Sequence, residues 1–149
     1  MDARQRKLEK RIRSIFEESI PFNRLLGLKM ISIDPELPHC RFAMREELIG
    51  NPTRGILRGG VISAVLDVIA GFSIHLALLA QHGPKEEIHF PYIATIDLRV
   101  DYLRPGRGKW FDATARVVRM GRRIAVMHME LRNDSDDLIA TGSAAYVVG

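Results

Sequence analysis

Gly55-Ile56-Leu57-Arg58-Gly59-Gly60-Val61-Ile62-Ser63-Ala64-Val65-Leu66-Asp67-Val68-Ile69-Ala70-Gly71 is a glycine-rich approach that runs directly into an apolar segment, continued by Phe72-Ser73-Ile74-His75-Leu76-Ala77-Leu78-Leu79-Ala80. At about 3.6 residues per turn, this predicts about six turns of helix. Nearly every position from Val61 to Ala80 is apolar, so the helix is expected to be enclosed by protein on all sides. Asp67 is the exception. Stepping by four from Ser63 gives Asp67, Gly71 and His75, a narrow stripe of small and polar side chains on one face. Either that stripe borders a cavity, or Asp67 is a buried acid bonded to a nearby backbone group. The length approaches the ~20 residues of a bilayer span. A carboxylate in mid-segment and the soluble strand pattern that follows argue against a membrane span.

The chain has 149 residues, 46% hydrophobic and 27% charged, which fits one soluble domain with a substantial core. No repeat or linker divides it, so residues 1–149 are read as a single domain in which residues 1–20 form an N-terminal helical extension. Cys40 is the only cysteine. It permits no intrachain disulfide and no paired-cysteine zinc site, and a reducing compartment follows. The opening residues are charged and carry no apolar signal core, so the expected location is cytoplasmic. The net charge of +4 comes from residues before Ser14, from Arg104 to Lys109 and from Arg119 to Arg123. These clusters lack the interleaved aromatics of a base-stacking surface, so a phosphate-bearing small ligand is expected rather than nucleic acid. No cofactor and no metal are implied.

Lys7 to Ile20 has the spacing of an amphipathic helix, with Leu8, Ile12, Ile15 and Phe16 on one side. Pro21 ends it, and the short Phe22 to Leu26 segment closes at Gly27. This piece is expected to pack across a sheet end or a subunit boundary. Gly27 to Ile33 and Cys40 to Met44 read as a hairpin around the prolines at 35 and 38. Arg45 to Arg54 reads as a polar loop, and Gln81 to Pro91 as a loop turning at Gly83-Pro84. Beyond it the period changes to two. Ile96, Leu98, Val100 and Tyr102 alternate with Thr95, Asp97, Arg99 and Asp101, and strands follow at Trp110 to Met120, Ile124 to Leu131 and Leu138 to Val148. Six antiparallel strands and one apolar helix predict an α+β fold, a sheet curled around that helix. A dimer that closes the helix's remaining side is expected.

Several motifs carry a family likeness: Gly55-Ile56-Leu57-Arg58-Gly59-Gly60, Val65-Leu66-Asp67, Thr95-Ile96-Asp97-Leu98, Tyr102-Leu103-Arg104-Pro105, Gly121-Arg122 and Ala144-Ala145-Tyr146. In this order and spacing, from about Phe22 to Val148, they resemble the hotdog-fold acyl-CoA thioesterases of the PaaI type. The resemblance implies hydrolysis of an acyl-CoA substrate by a homodimer or homotetramer with sites between subunits. It implies that Asp67 attacks the thioester or activates water, and that the Gly59 amide polarises the carbonyl. Both roles make physical sense. Unpaired amides and the positive dipole end at a helix N-terminus suit developing charge on oxygen. Gly60 beside Gly59 lets substrate approach the backbone.

The chain departs from the family pattern twice. Arg58, nine residues before Asp67, stands where the family carries histidine. A guanidinium is only a donor. It could bind substrate or pair with Asp67, which would make the acid a weaker base. The asparagine that positions water or thioester in the family maps to Pro52, and the role passes to the adjacent Asn51, which is also a turn signal before proline. Thr95 matches a hydroxyl that assists water in relatives, or is an ordinary strand residue. His75 lies two turns from Asp67, about 12 Å along the helix, and reads as structural. His39-Cys40 shows no third group to orient a nucleophile. Arg104, Arg107, Lys109, Arg119, Arg122 and Arg123 are candidates for the CoA phosphates. Beside the hydrolase stands an alternative, a non-catalytic acyl-CoA or acyl-carrier binding hotdog protein in which Arg58 has displaced the catalytic apparatus.

Overall fold

The computed structural model describes residues 2–82 and 91–149, so the expected turn at Gly83-Pro84 lies outside the described residues. Helix α1 spans Ala3–Ser14 and widens into a π-helical turn, Ile15–Ser19, before the short α2, Pro21–Leu26. Asp2 caps α1 by accepting the Gln5 amide in a capping box. Gly27, at φ 69°, closes α2 as anticipated. Strands β1 (Lys29–Ser32) and β2 (His39–Ala43) form the predicted hairpin. Strand β3 (Ile49–Asn51) lies within the stretch read as a polar loop and pairs with β4 (Ile56–Leu57), in the glycine-rich approach to the long helix. This correction has a simple cause. The pairing is only two to three residues a side, and it is anchored by the buried Leu48 and Leu57, too short a pattern to show a period.

Helix α3 runs over Gly59–His82, and strands β5 (Ile93–Tyr102), β6 (Trp110–Met120), β7 (Ile124–Asn133) and β8 (Leu138–Val148) follow. The main sheet is antiparallel in the order β1-β2-β6-β7-β8-β5. Strand β7 alternates strictly. Ala125, Met127, Met129, Leu131 and Asn133 are buried on the face that receives α3, which presents Val65, Leu66, Ile69 and Ile74 to the core. α3 is long and apolar enough to cross a membrane by composition, yet it is the core helix of this sheet. As its apolar length leads one to expect, the sheet of one chain does not cover α3 all round: Val61, Ala64, Val68 and Gly71 are only half-buried.

The N-terminal segment packs across the β1 end of the sheet. Ile12 and Phe16 are buried in the core, the Met30 amide donates to Glu17 Oε1 at 2.9 Å, and Arg13 donates to the Met30 carbonyl. These bonds cover part of an edge strand that would otherwise be an open template. The buried Asn23 donates through Nδ2 to the Phe16 carbonyl at 3.0 Å, which gives the π turn one of its missing partners.

A bulge in β5 decides where its side chains point. Thr95 pairs with Tyr146 and Asp97 with Ala145, so Ile96 is the extra residue. Asp97 Oδ1 accepts the Ala145 amide at 3.0 Å and fills the break in the ladder. The predicted alternation put Ile96 with Leu98 and Val100 on the core side. Instead Ile96 is 51% exposed, and Thr95 is turned onto the helix face.

Candidate active site

The candidate residues fall into two groups on α3. At its start, Arg58 donates its amide to the Leu48 carbonyl, and its own carbonyl accepts from Val61 and Ile62. The Gly59 and Gly60 amides therefore stand ahead of the first helical bonds, at the positive end of the helix. Gly59, Gly60, Arg58 and Asn51 line one open cleft together with Gly50, Ile56, Leu57 and Tyr102. The Tyr102 hydroxyl donates to the Gly59 carbonyl at 3.0 Å and ties this turn to the end of β5. Asn51 serves the turn that the proline signalled. Its Oδ1 accepts the Thr53 amide at 3.1 Å, and its carbonyl accepts from Arg54 and Gly55. The Arg58 stem crosses Gly50 so closely that a Cβ there would lie 2.6 Å from its Cδ, so only glycine fits beneath it. Among the described ion pairs none joins Arg58 to Asp67.

Asp67 lies eight residues further on, in a separate chamber. Its Oδ1 accepts two hydroxyl bonds, from Thr95 at 2.9 Å and from Tyr146 at 2.7 Å. Both donors approach one oxygen, and Oδ2 takes part in none of the described bonds. Burial pushes the Tyr146 phenol well above its ordinary range, and the Asp67 hydrogen bond and charge raise it further, against a smaller opposing effect of Thr95. Tyr146 therefore stays a donor. The chamber is an open pocket of about 220 Å³ that continues along α3 through Val68, Gly71 and Phe72 to His75, lined also by Phe16, Ile20 and Asn23 of the N-terminal segment. Burial pushes the His75 imidazole down to about 4, so it is neutral near pH 7.

In the sequence Tyr146 is visible only as part of a terminal motif. What marks it as a site residue is its register against Thr95, which no linear pattern exposes. His39 does find an acid, Asp112, at 3.1 Å. Strand alternation nevertheless sends Cys40 to the opposite face, where burial raises its thiol and Asp112 raises it further. The two cannot cooperate as nucleophile and base. Arg104 and Arg107 hold loops by donating to the carbonyls of Leu138 and Arg54. Arg119, Arg122 and Arg123 line a groove at the β6–β7 turn, at the sheet end that carries Tyr146 and Thr95. Among the described residues no three His, Cys, Asp or Glu side chains converge on a common point.

A six-stranded antiparallel sheet wrapped on one long helix, with an acid in mid-helix and glycines at its start, is a hotdog fold of the thioesterase type. The chain belongs to the thioesterase superfamily, whose sequence profile matches residues 54–140. It is 39% identical over 144 residues to the medium/long-chain acyl-CoA thioesterase YigI of Escherichia coli K12, covering 94% of this chain and 93% of that one. A crystal structure of a Shewanella oneidensis protein related to the thioesterase superfamily superposes with a TM-score of 0.84 at 37% identity, covering both chains completely. A Syntrophus aciditrophicus structure superposes with a TM-score of 0.81 at 39% identity, over 99% of this chain and all of that one.

Proposed function

We propose that this protein hydrolyses medium- to long-chain acyl-CoA thioesters to the free acid and CoA, with Asp67 as the acidic group of the reaction. The observation that carries the reading is the Asp67 carboxylate itself, held through Oδ1 by two hydroxyl donors at the lining of a chamber. A carboxylate so fixed can take a proton from water as hydroxide adds to the thioester carbon, or add to that carbon directly. In either route the carbonyl oxygen gains negative charge, which the Gly59 amide stabilises with Gly60 alongside. In the water route, collapse breaks the carbon–sulfur bond and the CoA sulfur leaves with the proton that Asp67 had taken. In the direct route the thiolate leaves and an acyl–Asp67 anhydride remains; water hydrolyses it to the free acid and the regenerated carboxylate, its proton passing to the thiolate. Asn51 and Arg58 act at the cleft mouth on water, thioester or pantetheine, and Thr95 orients Asp67. Arg119, Arg122 and Arg123, which line one groove, are the basic side chains proposed for the CoA phosphates.

The working assembly proposed is at least a homodimer, with each site shared. Eight residues at about 1.5 Å each place Gly59 and Asp67 about 12 Å apart along one helix, too far to act on a single carbonyl. The half-buried Val61 and Ala64 of α3 and the unpaired edge of the ten-residue β5 offer a second copy both an apolar face and a ladder. The whole chain then acts as one unit, the N-terminal helices included. The cytoplasm is its proposed setting, in keeping with the single buried Cys40.

Free-thiol release from a panel of acyl-CoA esters tests the reading. Turnover that rises toward medium or long chains is expected. Tight binding of acyl-CoA with no thiol released would leave the non-catalytic binding protein in its place.

A further inference from the structure

We propose that the N-terminal segment, through Ile20 and the π turn at Phe16, is the ruler that sets acyl-chain length. The acyl chain would lie in the chamber between this segment and α3. This inference rests on the thioesterase reading and goes beyond it, because nothing in that chemistry requires residues before β1.

The chamber begins at Asp67, where the reacting carbonyl must sit, and follows α3 for two turns to His75. That is about 12 Å of helix rise. Tetrahedral C–C bonds of about 1.5 Å advance an extended chain by about 1.3 Å per carbon, so the length suits about nine carbons. The lining suits an alkyl chain. Val68 and Phe72 supply apolar walls, Gly71 leaves the floor open, and His75 at the far end is neutral near pH 7. At Gly71 a Cβ would meet nothing nearer than Tyr146 Cε1 at 4.0 Å, so the missing side chain is room and not a packing necessity.

The facing wall is rigid. Phe16 is fully buried and packs edge-on against Phe72, ring centroids 4.6 Å apart. Asn23 holds the Phe16 carbonyl, and Glu17 and Arg13 bond β1 on the other side of the same turn. π turns inside helices recur at functional sites because they re-aim a side chain by one position. Here the turn leaves Phe16 and Ile20 both on the chamber. Ile20 is half-buried, in extended backbone between the two helices, and its side chain can change size without breaking either.

The experiment measures kcat/KM of the full-length protein on butyryl-, octanoyl- and lauroyl-CoA for wild type, Ile20→Trp and Ile20→Ala. Ile20→Trp should lower the lauroyl-to-butyryl ratio at least tenfold, and Ile20→Ala should raise it several-fold, since each methylene fitted or excluded counts for about tenfold or more. Gly71→Val, which narrows the chamber from the opposite wall, should move the ratio as Ile20→Trp does. It stands in if the Trp variant fails to fold. Dissociation constants for uncleavable S-butyl-, S-octyl- and S-dodecyl-CoA thioethers are measured on the same proteins. If wild type cleaves no ester but the thioether constants still follow the wall substitutions, the hydrolase reading falls and the ruler stands. If folded variants keep the wild-type ratio in both measurements, the ruler is overturned.

Discussion

The cleft at the start of α3 is made of backbone and exposed polar groups: two glycine amides, a turn asparagine and an arginine lying across Gly50. The chamber eight residues along is made of side chains locked by tertiary structure: a carboxylate, two hydroxyls brought by β5 and β8, and a wall from the N-terminus. In the proposed mechanism the first supplies donors for a developing oxyanion but no base, and the second a base but no second donor for the carbonyl. The proposed two-fold pairing of chains would bring each beside the other's complement.

The sharpest way to break this division is to damage each half separately. Asp67→Asn should lower kcat by a factor of about 10² or more with folding intact, the range for a positioned acid-base group. Gly59→Pro deletes the amide donor at a helix position where proline is well tolerated, and about 10²-fold should be lost there too. Mixing the two inactive proteins under conditions of subunit exchange should then restore about a quarter of wild-type activity, because half the dimers would be mixed and each mixed dimer would hold one undamaged site. Recovery of nothing, with exchange demonstrated, would place both halves within one chain and sink the shared site.

What the sequence shows of this comparison is uneven, for physical reasons. The amide half is local. Glycines at a helix start and an Asn-Pro turn are readable because short-range sterics dictate them. The acid at 67 is readable for the same reason, as a lone charge in an apolar period. Its surroundings are not, since Thr95 reaches Asp67 only through a bulge at Ile96, and simple alternation sends Thr95 to the other face. That bulge is set across strands, by Asp97 taking the Ala145 amide. The half-covered side of α3 is legible in outline, because one sheet cannot wrap a helix that is hydrophobic all round. Which residues stay half-covered is not, since that depends on how the sheet and the N-terminal segment pack.

Tyr146→Phe sharpens the chamber side. It deletes one of two donors on Oδ1 and keeps the ring, so kcat should fall about tenfold with KM little changed, and stability by about 1 kcal/mol for one buried hydrogen bond. In an Asp67→Asn background the kinetic cost should vanish, as expected of a residue acting through the carboxylate. Undiminished cost there would give Tyr146 an independent role.

Arg58→Ala probes the cleft side with a smaller effect. The guanidinium is exposed, and none of the described ion pairs involves it. A rise of less than tenfold in KM at unchanged kcat would mark a contact to the ligand. A changed pH profile would mean instead that it reaches the Asp67 of a second copy.

His75 offers the smallest effect, on stability instead of rate. Its imidazole is pushed by burial from about 6.5 to about 4 in the folded chain, so between these values the unfolded state binds the extra proton. Its contribution is therefore fully present above about pH 6.5 and is lost as pH falls toward 4. Asp112 titrates separately. Burial would raise its carboxyl, but hydrogen bonds from Arg41 and His39 outweigh that and hold it below 3.8, so its contribution is lost only in more acid solution. Chemical denaturation of wild type and His75→Gln at several pH values should then show a stability difference that shifts in favour of the variant as pH drops from 6.5 to 4. A difference that stays flat across that window would mean that the imidazole at the end of the chamber is already wet, and with it the apolar character that sets this half of the molecule apart from the cleft.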